Sequence, residues 1–435
     1  MKRPFCGMLA RMLLVAMVVL LVAAACAPAA KPTTGAEVKK VKVGLSMSLT
    51  GALATALEPV SWGAYHYLQY VNEQLGGIEY RTKAGTMEKV LLDIVWEDNA
   101  YSVPKTISIY KRQKEAGVKF MAVLGSTPGE AITETASRDK MPVIGFYAST
   151  SPANFTPVPL YYTSSFGNMP EQAAVVVKWF KDNWKEARPP KVGVLMLDVP
   201  SLRPTGDPAG LPAYAQKIGV EYLGIDFLSA AATDTSIELG RLKTKAPDMI
   251  LTYHVTGGLV VILKDARRIG FELGALGSGK TVFAAPTWGF DESLLRLVPQ
   301  EAEGLYGFTT TALSDEDVPG VKVAREICRK YRGAELNLLY LQGVFYGMEV
   351  VAGLKQALET VGYESLDGPA INDAIHNLKD FDSGGIAPKI NVDPSYPMLN
   401  PYARIARVEG GKIKAVSDWY QYPPIREIMP PQFRK

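Results

Sequence analysis

The sequence predicts an α/β fold of two lobes, each built on a parallel, doubly wound sheet. Short apolar runs alternate with longer helical patterns across short loops, the order expected of parallel sheets with helices on both faces. The alternation restarts near Glu171. The chain has 435 residues, too many for one small domain and suited to two cores.

Val41–Leu45 is the first apolar run, followed by the turn residues Thr50 and Gly51. A helical pattern runs from about Leu57 to Leu75 and stops at Gly76-Gly77, since glycine readily takes the left-handed conformation that ends a helix. Val90–Trp96 is the next strand, and Ser102-Val103-Pro104 opens the next helix. Lys119–Leu124 has the continuous apolar character of a buried strand. Thr127-Pro128-Gly129-Glu130 reads as a capping box with proline at the first helical position. Val143–Phe146 follows as a strand.

In the second half a helix over Glu171–Trp184 precedes a strand over Val192–Leu197. Helices are expected over Pro208–Ile218 and Ser236–Lys245, then a strand over Met249–Thr252, a helix over Gly258–Ile269 and a strand over Thr281–Ala284. Tyr402–Val408 and Lys412–Val416 flank Gly410-Gly411 and read as a hairpin.

The N-terminal residues read as a targeting segment. Lys2, Arg3 and Arg11 form a basic region, Met12–Ala25 is apolar and uncharged, and Ala23-Ala24-Ala25 precedes Cys26. Small residues followed by cysteine resemble a bacterial lipoprotein signal, in which Cys26 becomes the lipidated first residue. An uncleaved anchor is the alternative, although the apolar run is short for a span. Ala27–Ala36 lacks large apolar residues and reads as a flexible tether.

The chain carries 47 Lys+Arg and 44 Asp+Glu. Without Lys2, Arg3 and Arg11 the two signs balance, which leaves no charge excess for nucleic acid or an anionic surface. Of the 3 cysteines, Cys6 lies in the signal and Cys26 at its end. Cys328 remains alone, so no internal disulfide is expected. With 3 histidines and no Cys/His cluster, neither a metal nor another cofactor is expected.

One stretch points elsewhere. GALGSGKT, from Gly274 through Gly279, Lys280 and Thr281, matches the phosphate-binding loop pattern. Phosphate binding requires a strand leading in and a helix leading out with its N-terminus toward the ligand. Here the order is helix, loop, strand, so the stretch reads as a glycine-rich surface connection.

VKVGLSMSLTG at 41–51, VNEQLGGI at 71–78, LDIVWED at 92–98, AVLGST at 122–127, MPVIGFYAST at 141–150, DARRIGF at 265–271 and EGLYGF at 303–308 together resemble the type I solute-binding proteins of ABC importers, in particular the branched-chain amino acid and amide group. The resemblance implies two Rossmann-like lobes joined by three hinge crossings. The division it implies is 1–25 as signal peptide, 26–40 as lipidated cysteine and tether, 41–163 and 309–386 as lobe 1, 164–308 as lobe 2, and 387–435 as a segment mostly of lobe 2.

In open α/β sheets ligands sit beyond the carboxyl ends of the strands. Those ends carry Ser126-Thr127 and Tyr147-Ala148-Ser149-Thr150. Thr127 and Glu130 either only cap their helix or, with Gly129 and the Ser126 hydroxyl, open a helix start that receives a ligand carboxylate. The resemblance implies that Ala148–Thr150 supply a carbonyl and a hydroxyl to a ligand amino group. It also implies a serine near Gly129 or Glu130, a Tyr-Gly pair where this chain has Asp198–Pro204, and an acidic residue where it has Pro286-Thr287-Trp288. An amino-acid ligand therefore loses some of its expected partners. Leu202, Tyr253, His254 and Trp288 are candidates for the wall of the second lobe, with core packing the other reading for the aromatics and a structural hydrogen bond the commoner one for a lone histidine.

No G-x-S-x-G, His-Glu-x-x-His or nucleophile with a paired base is present, so no catalytic residue is expected. The leading expectation is a monomeric, lipid-anchored protein that captures a small molecule outside the cytosol and passes it to an ABC permease, without nucleic acid as a partner. The alternatives are a ligand sensor serving a receptor and a secreted α/β enzyme.

Overall fold

The fold grows from strand β1 (Lys40–Met47), whose Val41, Val43, Leu45 and Met47 are all buried. Ser46 between them is buried too, as a strand covered on both faces requires. The computed structural model describes residues 38–146, 161–396, 398–423 and residue 428. After β1 come α1 (Ala54–Leu75), β2 (Ile78–Arg81), β3 (Met87–Asp98), α2 (Val103–Glu115), β4 (Phe120–Val123), α3 (Ser126–Glu130), α4 (Thr133–Asp139), β5 (Val143–Gly145) and β6 (Tyr162–Phe166). The second run is α5 (Met169–Asn183), β7 (Lys191–Leu197), α6 (Leu211–Lys217), β8 (Glu221–Leu228), α7 (Ser236–Lys243), β9 (Met249–Tyr253), α8 (Thr256–Arg268), β10 (Val282–Ala285), α9 (Glu292–Leu297) and β11 (Tyr306–Thr309). It is followed by α10 (Pro319–Arg332), α11 (Leu338–Val361), α12 (Gly368–His376), β12 (Met398–Asn400), β13 (Tyr402–Glu409), β14 (Lys412–Ala415) and β15 (Tyr420–Gln421).

Two sheets organise these elements. The first has the order β12-β6-β5-β4-β1-β3-β2, and the second runs β14-β13-β11-β10-β9-β7-β8. Neighbours pair in parallel except at the margins, where β2 runs against β3 and β13 against both β11 and β14. The chain passes from the first sheet to the second after β6, back after β11, and over again between β12 and β13. The α/β class, the doubly wound sheets and the triple crossing are thus the observed architecture.

The first crossing is stitched by buried polar groups. Ser165 donates to the Glu349 carboxyl on α11, and Asn168 caps α5 in a reciprocal box with Glu171. Tyr396 donates to Glu171 at 2.9 Å and receives the Asn168 amide at 2.7 Å. Burial pushes the Glu171 carboxyl up to about 8, against hydrogen bonds from Asn168 and Tyr396 that pull the other way. Burial raises Glu349 well above the ordinary carboxylate range.

Several local expectations change. The helix expected to be capped by Thr127 and to begin at Pro128 starts two residues earlier, at Ser126, with Gly125 as its N-cap at φ 106° and no side-chain cap. The left-handed glycine turns the chain into the helix, so the Thr127 hydroxyl is free for another partner. Strand β8 has no counterpart in the sequence reading. It is an edge strand, partly exposed along most of its length, with a register shift against β7, so it lacks the alternation that marks a half-buried strand. The helix expected from Pro208 begins at Leu211, after a 3₁₀ turn over Arg203–Gly206.

The GALGSGKT segment joins the end of α8 to β10, and Lys280 pairs with Glu272 at 2.6 Å. Among the described residues no helix is long and apolar enough to cross a membrane. The apolar run at 12–25 and Cys26 lie outside the described residues.

Candidate ligand-binding site

The carboxyl ends of both sheets converge on one small cavity. From the first sheet come Leu53, Ala56 and Leu57 beyond β1, Tyr101 beyond β3 and Ser126 beyond β4. From the second come Leu197, Val199 and Leu202 at the end of β7, Val255 beyond β9 and Trp288 beyond β10, with Met169 at the start of α5. The space among them is about 30 Å³, room for only a couple of water molecules. The two ends are therefore drawn together.

Four hydroxyls meet at this junction. Ser126 Oγ lies 2.8 Å from Ser201 Oγ and 3.2 Å from Tyr101 Oη. Thr127 donates to Ser201 at 3.3 Å and receives the Tyr101 hydroxyl at 3.5 Å. Ser126 belongs to the first sheet and Ser201 follows β7 of the second, so the hydroxyl chain bridges the two. A further bridge runs from Gln342 on α11 to Thr287 beyond β10.

Tyr101 is held in a turn that L-residues seldom adopt. Ala100 and Tyr101 have φ of 50° and 56°, in the left-handed region. Asp98 Oδ1 accepts the Ala100 N–H at 2.9 Å, and Asn99 Oδ1 accepts the Tyr101 N–H at 2.7 Å. Two adjacent strained residues held by side-chain acceptors are typical of a segment shaped for a site.

The sequence candidates separate into groups. Ser126, Leu202 and Trp288 line the cavity. Thr127 joins the hydroxyl chain at its margin. Gly129 does not line it: a side chain there would begin 2.5 Å from Tyr162 Oη, so this glycine, with Gly145, makes room for that ring. Tyr253 is buried behind Trp288, edge-on at 4.7 Å, and donates to Gln172 at 3.1 Å. His254 is buried and touches the Ser229 carbonyl at 3.3 Å. Burial lowers its pKa against hydrogen bonds that raise it, which favours the neutral ring. It ties the end of β9 to the end of β8. Tyr147, Ala148, Ser149 and Thr150 lie outside the described residues.

Sequence reasoning missed Tyr101, Met169 and the Leu53–Leu57 wall. The strand-end rule, applied to β1 as it was to β4, points to the Leu53–Leu57 stretch. Tyr101 depends on a backbone turn that no residue pattern marks.

Residues 40–412 match the family model described as periplasmic binding protein. No curated protein matches the chain. Among solved structures, a branched chain amino acid ABC transporter protein from Thermus thermophilus with bound valine superposes with a TM-score of 0.76 at 19% identity, over 90% of this chain and 99% of that one. A fatty acid ABC transporter substrate-binding protein from Thermomonospora curvata gives 0.70 at 20% identity, over 88% and 92% of the two chains. A solute binding protein from R. palustris in complex with 4-hydroxybenzoate gives 0.68 at 16% identity, over 89% and 98%. With the family model spanning both sheets and these structures sharing their arrangement, the chain belongs to the periplasmic binding protein family and has its type I fold.

Proposed function

We propose that the protein captures a small molecule with an apolar body between its two lobes and delivers it to an ABC permease. One observation carries this reading: aliphatic and aromatic side chains from both sheets close on a single cavity whose polar groups are hydroxyls. Such a site needs no chemistry. A ligand that touches both walls binds the closed arrangement better than the open one, and that difference drives closure. Ser126 and Thr127 offer donors to an acceptor group on the ligand, while Leu202 and Trp288 shape the apolar end. The similar structures carry valine, a fatty-acid name and 4-hydroxybenzoate, a range that shares an apolar body and supports this class.

Within this reading the lobes follow 41–163 with 309–386, and 164–308 with most of 387–435. The protein acts outside the cytosol as a monomer, held to the membrane by lipid on Cys26 with Ala27–Ala36 as spacer. The test is to denature the purified protein, extract it with solvent and identify any released small molecule by mass spectrometry. The expected result is one dominant compound that raises the melting temperature when added back, because a ligand of the folded state stabilises it. A protein that releases nothing and responds to no small molecule overturns the reading.

A further inference from the structure

We infer that the cleft takes apolar molecules with a hydrogen-bond-accepting head group and no ammonium, and that it discriminates against α-amino acids. The inference rests on the binding-protein reading and deepens it.

The argument is a count of charges around the cavity. Among the described residues every lining side chain is apolar except Tyr101 and Ser126, and neither is charged. Residues 147–160, the segment between β5 and β6 that lies outside the described residues, read YASTSPANFTPVPL and contain no Asp, Glu, Lys, Arg or His. Whatever part that segment takes, it brings no charge to the cleft.

The acids on adjoining loops are otherwise engaged. Asp98 accepts from the Leu49, Thr50 and Ala100 N–H groups and from the Thr50 hydroxyl. Asp198 forms a two-pronged pair with Arg203 at 2.8 and 3.1 Å, on the exposed side of the β7 loop. Glu130 ends α3 and acts electrostatically on Tyr162, away from the lining.

An α-amino acid brings two opposite charges. Its ammonium has three donors and a positive charge that, away from water, needs an anion. Among the described residues this lining supplies none. A carboxylate, by contrast, accepts strong bonds from hydroxyl donors, and Tyr101 and Ser126 present two of them at one end of an apolar space, with Thr127 and Ser201 bonded to them from the margin. A neutral amide or ester is served by the same donors.

Matched pairs test this on the purified protein by titration calorimetry. Leucine is compared with 4-methylpentanoate, and phenylalanine with 3-phenylpropanoate, each pair differing only in the amino group. 4-Methylpentanamide serves as the neutral arm and separates a preference for the anion from one for any acceptor. The expected result is that a deaminated member binds and its amino-acid partner is weaker by at least about 100-fold. An amino acid that binds as tightly as its deaminated partner overturns the inference and leaves the binding-protein reading standing. If no member of either pair binds, the compound released on denaturation decides: one without an ammonium supports the inference, and one with an ammonium overturns it. Release of nothing, with no response to any small molecule, overturns the underlying reading and this inference with it.

Discussion

Ser126 Oγ and Ser201 Oγ lie 2.8 Å apart, although one follows β4 of the first sheet and the other follows β7 of the second. The bond is a direct measure of closure: any opening of the cleft breaks it, and any polar ligand head at this point replaces it. A neutral hydrogen bond contributes about 1 kcal/mol net. This latch is therefore weak enough for a ligand to take over.

The first prediction concerns that hydroxyl chain. Ser126→Ala and Tyr101→Phe each remove one oxygen while keeping the fold. Each should raise the dissociation constant of the released compound by roughly tenfold. The melting temperature of the ligand-free protein should change by only a few degrees. Calorimetry and a thermal scan check both halves. Thr127→Ala joins this set, because its hydroxyl meets Tyr101 and Ser201 rather than capping α3.

Trp288 separates fit from folding. It is buried against Tyr253 as well as facing the cavity. Trp288→Ala should therefore destabilise the protein by about 3–5 kcal/mol, which would obscure any effect on binding. Trp288→Phe keeps an aromatic face and should alter the ranking of ligands of different width with a smaller loss of stability. Affinities for a short and a long apolar acid, measured in wild type and variant, check this. An unchanged ranking removes Trp288 from the wall.

Lys280→Ala should leave ligand affinity and melting temperature within error. Its pair with Glu272 is exposed, and such pairs contribute about 0–1 kcal/mol. Nor does the helix-loop-strand order direct a helix N-terminus at GALGSGKT. Nucleotide binding by wild type that disappears in the variant would contradict this.

Glu171 predicts a pH dependence. Its folded pKa is about 8 against an ordinary 4.5, so the folded protein holds a proton that the unfolded chain releases. Its contribution to stability is therefore complete below about pH 4.5 and is lost as pH rises through about 8. Glu171→Gln keeps the capping box and removes the titration. Urea midpoints between pH 5 and 9 should fall less steeply in the variant than in wild type. Some slope remains, since burial also raises Glu349 and Glu292.

Cys26→Ser, expressed in the native host, should move the protein from the membrane fraction to the soluble or unprocessed pool. A variant that remains in the membrane with its signal uncleaved indicates a simple anchor instead.

The parts of the fold legible in the sequence were those with strong local signals. Gly76 ends α1 at φ 71° as read, and Gly410-Gly411 turns the β13–β14 hairpin. The short helix at Ser126 was placed to within two residues. Its cap was misread because Thr-Pro-Gly-Glu carries the residues of a capping box, while Gly125 supplies the turn by backbone conformation alone. β8 escaped notice because an edge strand need not alternate. Of the residues that line the cavity, Ser126 and Trp288 followed from the strand-end rule. The pairing of Ser126 with Ser201 did not, because it depends on how closely the two sheets approach, and no single segment encodes that.

The triple crossing also bears on how the chain is made. β12 at Met398–Asn400 closes the margin of the first sheet, and β13 and β14 at Tyr402–Ala415 close the margin of the second. During synthesis both sheets thus wait for the same late stretch, with β6 and β11 left as bare edges until it emerges. Bare edges invite pairing with other chains, and contacts between distant parts of a sequence form slowly. A stop before residue 398 therefore damages both halves of the molecule at once, and a tail exchanged between two newly made chains would lock them together through both sheets.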